Sequence, residues 1–66
     1  MPKVREAIRI VEGDGWYHVR TRGSHRQYRH PVKPGKVTIS GHPGEDLPTG
    51  TWIGIQLQAG LRRRGR

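Results

Sequence analysis

Apolar residues recur along this chain with two different periods, and the changes between them mark out its elements. Val4, Ala7, Ile8 and Val11 fall at i, i+3, i+4 and i+7, a spacing that sets all four on one stripe of an α-helix. Arg5, Glu6, Arg9 and Glu12 take the other side, Pro2 suits a first helical position, and Gly13-Asp14-Gly15 stops the helix. From Trp16 to Arg22 the period falls to two. Tyr17, Val19 and Thr21 are expected on one side of a strand and His18, Arg20 and Arg22 on the other. Gly23-Ser24 turns the chain, and Arg26 to Val32 is expected as a second strand, with Pro31 marking an edge or an end. Lys33-Pro34-Gly35-Lys36 has the composition of a tight reversal, after which Val37 and Ile39 alternate with Thr38 and Ser40 in a third strand. Residues 41–48 read as a loop. Thr49 to Ala59 returns to helical spacing through Trp52, Ile55 and Ala59, with Gly60 as its stop. Gly54 weakens this second helix by about 1 kcal/mol relative to Ala.

The order helix, strand, strand, strand, helix predicts an α+β domain of two layers. An antiparallel three-stranded meander carries both helices on one face, and the other face is free. The arginines and histidines are expected there. One domain over residues 1–61 is followed by a basic tail over residues 62–66. Ile53 and Leu57 widen the stripe of the second helix, so that helix either is buried on two sides or offers apolar surface to another chain.

Composition sharpens this picture. A chain of 66 residues buries only about 60% of its unfolded surface on folding, and Val, Ile, Leu and Phe together number 13. That is close to the level at which high charge favours disorder, so a bound partner would add stability that the small core lacks. Thirteen Lys and Arg against five Asp and Glu leave a formal charge of +8, which attracts polyanions. Nucleic acid fits best. An anionic membrane fits less well, because the basic residues do not line a long amphipathic helix and no apolar run approaches the roughly 20 residues a span needs. The N-terminus has no continuous apolar segment of the kind a secretory signal requires. The absence of cysteine excludes disulfides and thiolate metal sites and fits a reducing cytoplasm. Four scattered histidines without a His-x-x-x-His pair give little support to a metal, and no metal or cofactor is expected.

Chemistry concentrates in Gly23-Ser24-His25-Arg26-Gln27-Tyr28-Arg29-His30-Pro31, where imidazoles and guanidiniums are interleaved with a hydroxyl and an aromatic ring. The run Arg20-x-Arg22-Gly23-Ser24-His25-x-x-Tyr28-Arg29-His30-Pro31, followed by Val37-Thr38-Ile39-x-Gly41-His42-Pro43-Gly44-x-x-Leu47, Gly50-Thr51 and Ala59-Gly60-Leu61, resembles the HicA toxins of HicA/HicB toxin-antitoxin pairs. The resemblance covers nearly the whole chain. It departs from the family at Trp52, where a smaller aliphatic residue is usual, at Ile53 and Leu57, where polar residues are, and after Leu61, where arginines replace an acidic and aromatic segment.

The resemblance implies a fold like that of the double-stranded RNA-binding domain and an endoribonuclease that cuts mRNA. It places the catalytic role on His25 and implies a HicB-like antitoxin that covers the site. Cleavage of RNA without a metal needs a base for the 2′-hydroxyl, donors for the charged phosphorane and an acid for the leaving oxygen. An unperturbed imidazole, with a pKa of about 6.5, suits the first task. Arg20, Arg22, Arg26 and Arg29 are candidates for binding RNA phosphates through their planar forks, and Ser24 could add a hydrogen bond at the turn.

Blander readings stand beside these. Without the family pattern, His25 reads as an exposed turn histidine and His18 as a solvated strand residue. His30 and His42 either supply the acid or fix the loop, and Glu45-Asp46 reads as a solvated pair. Tyr28 either stacks on a base or faces the core. The whole domain also reads as a non-catalytic RNA-binding module. The nuclease reading requires the His25 ring to be exposed and on the same side as the positive surface.

Overall fold

The computed structural model describes residues 2–63. Its elements follow the expected order: α1 (Val4–Gly13), β1 (Tyr17–Arg22), β2 (His25–Arg29), β3 (Val37–Ser40) and α2 (Thr49–Gln58). The strands form one antiparallel sheet in the order β1-β2-β3. This α+β arrangement is consistent with a fold like that of the double-stranded RNA-binding domain.

Helix α1 starts two residues later than Pro2. Lys3 is its extended N-cap (φ −82°, ψ 161°), and Lys3 N–H donates to Glu6 Oε1 at 2.7 Å. The first turn of a helix leaves N–H groups without intrahelical partners. Here Val4 N–H donates to Glu45 O (2.8 Å) and Arg5 N–H to Pro43 O (3.0 Å), while the Pro2 carbonyl accepts from Leu47 N–H (2.9 Å). Pro2 therefore belongs to a short extended bridge with the loop after β3, and a helical Pro2 would forfeit that bond. Helix α2 ends as its sequence predicts. Gly60 adopts φ +71°, Gly60 N–H donates to Leu57 O (3.2 Å) and Leu61 N–H to Gln56 O (2.9 Å), the paired bonds of a Schellman motif.

The core joins Val4, Ala7 and Val11 of α1 to Ile55 of α2 and to Trp16, Tyr28, Val37, Ile39, Leu47 and Ala59, with Ile8 and Trp52 leaning on it. Both helices pack on β3. Tyr28, Val37 and Ile39 are buried while their neighbours Arg29, Thr38 and Ser40 are not, so the helices share one sheet face. Burying each such aliphatic side chain contributes about 1.5–3 kcal/mol. Ile53 and Leu57 are half-buried on the flanks of α2. All six residues of β1 remain exposed, so this edge strand projects beyond the helical layer.

Two strand details differ from the expectation. β2 stops at Arg29 rather than Val32, because the His30 ring turns the chain out of the sheet: its Nδ1 accepts from both Val32 N–H (3.0 Å) and Lys33 N–H (3.0 Å). Pro31 has no N–H to extend the ladder, and Val32 is left 84% exposed. In β1 the register shifts between His18 and Arg20, so Val19 is an extra, bulged residue. His18 pairs with Tyr28 and Thr21 with Arg26 on the helix side, while Tyr17, Arg20 and Arg22 pair with Arg29, Gln27 and His25 on the free side. His18 thus does not share a face with Arg20 and Arg22, and Tyr17 does not share one with Thr21.

A knot of polar contacts closes the molecule beyond the Arg29 end of β2. His30 Nε2–H donates to Asp14 O (2.8 Å), the tautomer set by the two N–H groups on Nδ1, and the ring meets the Trp16 indole edge-on at 5.2 Å. Trp16 Nε1–H and Lys33 Nζ both donate to the Ala59 carbonyl, at 3.2 and 3.1 Å, and Lys33 also pairs with Asp14 at 2.5 Å. The hydrogen bond from Lys33, first, and then its charge hold the Asp14 carboxyl below the usual carboxylate range against some desolvation.

Candidate active site

His25 opens β2 directly after the Gly23-Ser24 turn, where Gly23 takes φ +57°. Its ring is exposed and lies on the free face. Antiparallel pairing sets Arg22 opposite it on β1 and Ser40 opposite it on β3, so three side chains form a row across the sheet at separations of about 5 Å between Cβ atoms. The Ser40 hydroxyl meets His25 Nδ1 at 3.0 Å. Nε2 of His25 and the guanidiniums of Arg20 and Arg22 have no hydrogen bond or ion pair among the described residues, so all three are available to a ligand.

The remaining arginines divide between the faces. Arg29 is on the free face, four residues or about 13 Å along the strand from His25, and its Nη1 donates to Gly35 O at 3.2 Å. Tyr17 lies opposite Arg29 and is 52% exposed, which places an aromatic ring at the far end of the basic face. Arg26 points to the helix side, where its half-buried guanidinium donates to Gly41 O at 2.8 Å. The structure therefore gathers Arg20, Arg22, His25 and Arg29 on one surface and sets Arg26 apart as a brace for the loop after β3. Ser24 sits in the turn, its carbonyl accepting from Gly41 N–H at 3.2 Å. With Ser40, Gly41, Glu45, Leu47 and Thr51 it lines a cleft of about 410 Å³ that His25 itself does not line.

The other histidines take separate places. His18 Nε2 meets Thr21 Oγ1 at 2.6 Å on the helix side, and its ring meets Tyr28 edge-on at 5.6 Å. His30 belongs to the knot beyond the far end of β2. His42 is exposed in a turn whose backbone N–H donates to Glu45 Oε1, and its ring has no partner among the described residues. Asp46 is an exposed acid paired with Lys3 (3.2 Å) rather than with its neighbour. Tyr28 is 2% exposed, a core residue and not a stacking platform; burial, first, and the Glu12 charge push its hydroxyl above the usual range, with Arg26 acting in the opposite sense. Among the described residues no three His, Asp or Glu side chains converge as metal ligands, and no helix is long and apolar enough to cross a membrane. Arg62 and Arg63 of the expected tail are exposed, and Arg64, Gly65 and Arg66 lie outside the described residues.

Sequence reasoning passed over Ser40 and Tyr17. The signal for Ser40 was present, since it alternates with the apolar Ile39 and so had to face away from the core. Tyr17 carried no such signal, because only the bulge puts it on the basic side.

The chain is thus a small α+β domain in which two helices back one face of a three-stranded sheet, and on the other face an exposed imidazole stands between a hydroxyl and free guanidiniums. The model of the HicA toxin of bacterial toxin-antitoxin systems matches residues 4–61, and the chain belongs to that family. It is thus the toxin half of a system that pairs a toxin with an antitoxin. No curated protein matches the chain closely enough to add to this assignment.

Proposed function

We propose that the protein is a metal-independent endoribonuclease that cuts mRNA, with His25 as general base, and that a HicB-like antitoxin silences it by covering the free sheet face. The observation that carries this reading is the row Arg22-His25-Ser40, exposed on the positive side of the sheet. A phosphate held by Arg22 and Arg20 would bring the adjoining ribose to His25. Nε2 takes the 2′-hydroxyl proton, the 2′-oxygen forms its bond to phosphorus, and the departing 5′-oxygen takes up one proton in return. Arg29 extends the track for the chain, and Ser24 offers its hydroxyl at the turn. Arg26 supports the same site from behind through Gly41. The reaction belongs in the cytoplasm, where mRNA is.

The test is expression with and without its base. Wild type is expected to arrest growth and to cleave RNA in the presence of EDTA, and His25→Ala to do neither while remaining folded. A harmless wild type whose purified form leaves RNA intact, yet binds it with steep salt dependence regardless of His25, would instead identify a non-catalytic RNA-binding module.

A further inference from the structure

We propose that Ser40 is a positioning residue for the His25 base, an inference that rests on the nuclease reading above. The Ser40 hydroxyl accepts a hydrogen bond from Nδ1–H, and this leaves the Nε2 lone pair directed at the substrate. The two side chains are register partners on adjacent strands, and Oγ lies 3.0 Å from Nδ1. A neutral imidazole carries one proton, and the bond made by one nitrogen decides which of the two holds it. If Nδ1 is the donor, Nε2 is a base; if the serine donated instead, Nε2 would carry the hydrogen and could take no proton from a ribose. After proton transfer the imidazolium keeps Nδ1–H on Ser40, so the same contact serves both states of the ring.

The hydroxyl is well placed to act this way because its own backbone is fixed. Ser40 is half-buried at the end of β3. The next residue, Gly41, turns with φ +108° and is held on both sides, its N–H on Ser24 O and its carbonyl under the Arg26 guanidinium. A Cβ on Gly41 would lie 3.1 Å from Glu45 Oε1 and 3.3 Å from Val4 Cγ2, so the loop has little room to shift. The strand and the turn together set the oxygen, and the oxygen sets the ring.

Nitrogen-15 spectra of the labelled chain, at a pH where the imidazoles are neutral, read the tautomer directly. Wild-type His25 is expected as the Nδ1–H form, and Ser40→Ala is expected to shift the population toward Nε2–H. Cleavage by Ser40→Ala should fall roughly ten- to a hundredfold in kcat with KM little changed, the value of one hydrogen bond to a charged group. Ser40→Thr, which restores a hydroxyl on a residue suited to a strand, should recover most of the rate. An Nε2–H tautomer in wild type, or full activity in a folded Ser40→Ala variant, would overturn the proposal. Failure of the nuclease reading is distinguishable: wild type would cut no RNA although the tautomer still responded to Ser40→Ala, which removes the catalytic role of the contact and keeps the contact itself.

Discussion

Replacing Gly15 by alanine tests whether the knot around His30 is as rigid as its hydrogen bonds indicate. Gly15 has φ +108°, and a Cβ built on it would lie 2.7 Å from His30 Nε2 and 3.3 Å from Cδ2. Separations below about 3 Å are relieved cheaply only when the far atom ends a flexible side chain. This ring is not flexible, because three hydrogen bonds and the Trp16 edge hold it. Moving it sacrifices the bond from Nε2 to Asp14 O, about 1 kcal/mol, and alanine at such a φ adds roughly 1–3 kcal/mol of strain. The reduced freedom of the unfolded chain returns about 0.4–1 kcal/mol. The net loss is about 2–3 kcal/mol, or roughly 10–20 °C in the unfolding midpoint of a domain this small. Two controls separate the terms. Gly35→Ala (φ +80°) meets no atom within 4 Å and should show the strain alone, whereas Gly13→Ala inside α1 also meets none and should stabilise by up to about 1 kcal/mol. Thermal melts and urea titrations followed by circular dichroism give the ranking. The reasoning fails if Gly15→Ala costs no more than Gly35→Ala, or if its extra cost survives in a His30→Ala background where there is no ring to displace.

Arg22→Gln should lower the salt slope of RNA binding by about 0.7 for each phosphate it leaves without a cation and leave stability unchanged, whereas Arg26→Gln should cost about 1 kcal/mol of stability through Gly41 and leave the slope alone; the opposite pattern would exchange their roles. The Asp14 carboxyl is depressed by Lys33, so its contribution is complete above its unfolded value of about 3.9 and is lost as pH falls through the lower folded value. Denaturation midpoints between neutral pH and acid should therefore fall less steeply in Asp14→Asn than in wild type, and parallel curves would refute the pairing. The Tyr28 hydroxyl is raised by burial, so its contribution is intact below an unfolded value of about 10 and lost as pH rises through the higher folded value. In a Tyr17→Phe background, tyrosinate absorbance should develop above pH 10 together with unfolding, and ionisation at the unfolded midpoint while the fold persists would contradict its burial.

How much of this was legible in the sequence depends on whether a core stood behind the pattern. The stripe Val4-Ala7-Val11 and the alternation Val37-Thr38-Ile39-Ser40 read correctly because burial forces the apolar set to one side, and a slip of one residue would carry that set into water. The same constraint places Ser40 on the free face by the parity of β3, and the register of β3 against β2 then sets its hydroxyl beside His25. The start of α1 was less legible, since Pro2 suits a first helical position and is kept out by contacts with a loop more than forty residues away, its own carbonyl taking Leu47 N–H and the N–H groups of Val4 and Arg5 going to Glu45 and Pro43. The end of β2 was hidden in the same manner: the His30 ring replaces strand partners for Val32 and Lys33, a substitution that no periodicity announces.

β1 shows where parity stops being informative, and the candidate site depends on it. Its residues alternate as regularly as those of β3, yet all are exposed, so neither face is anchored and the alternation of Tyr17, Val19 and Thr21 has no core to match. Inserting Val19 as a bulge therefore costs little burial, and it reverses the side of every residue that precedes it relative to those that follow. His18 moves to the helix side, where Thr21 and Tyr28 receive it, and Tyr17 moves to the face of His25 and Arg29. Arg20 and Arg22 reach that face by their pairing with Gln27 and His25, not by the strand's own pattern. The positive surface is thus built by the register of β2, which Tyr28 fixes through its burial, and β1 follows it. A strand that takes its orientation from its neighbour can change sequence on either side of the bulge without disturbing the core, which gives this edge of the sheet freedom to adapt to a ligand while the centre holds the imidazole in place.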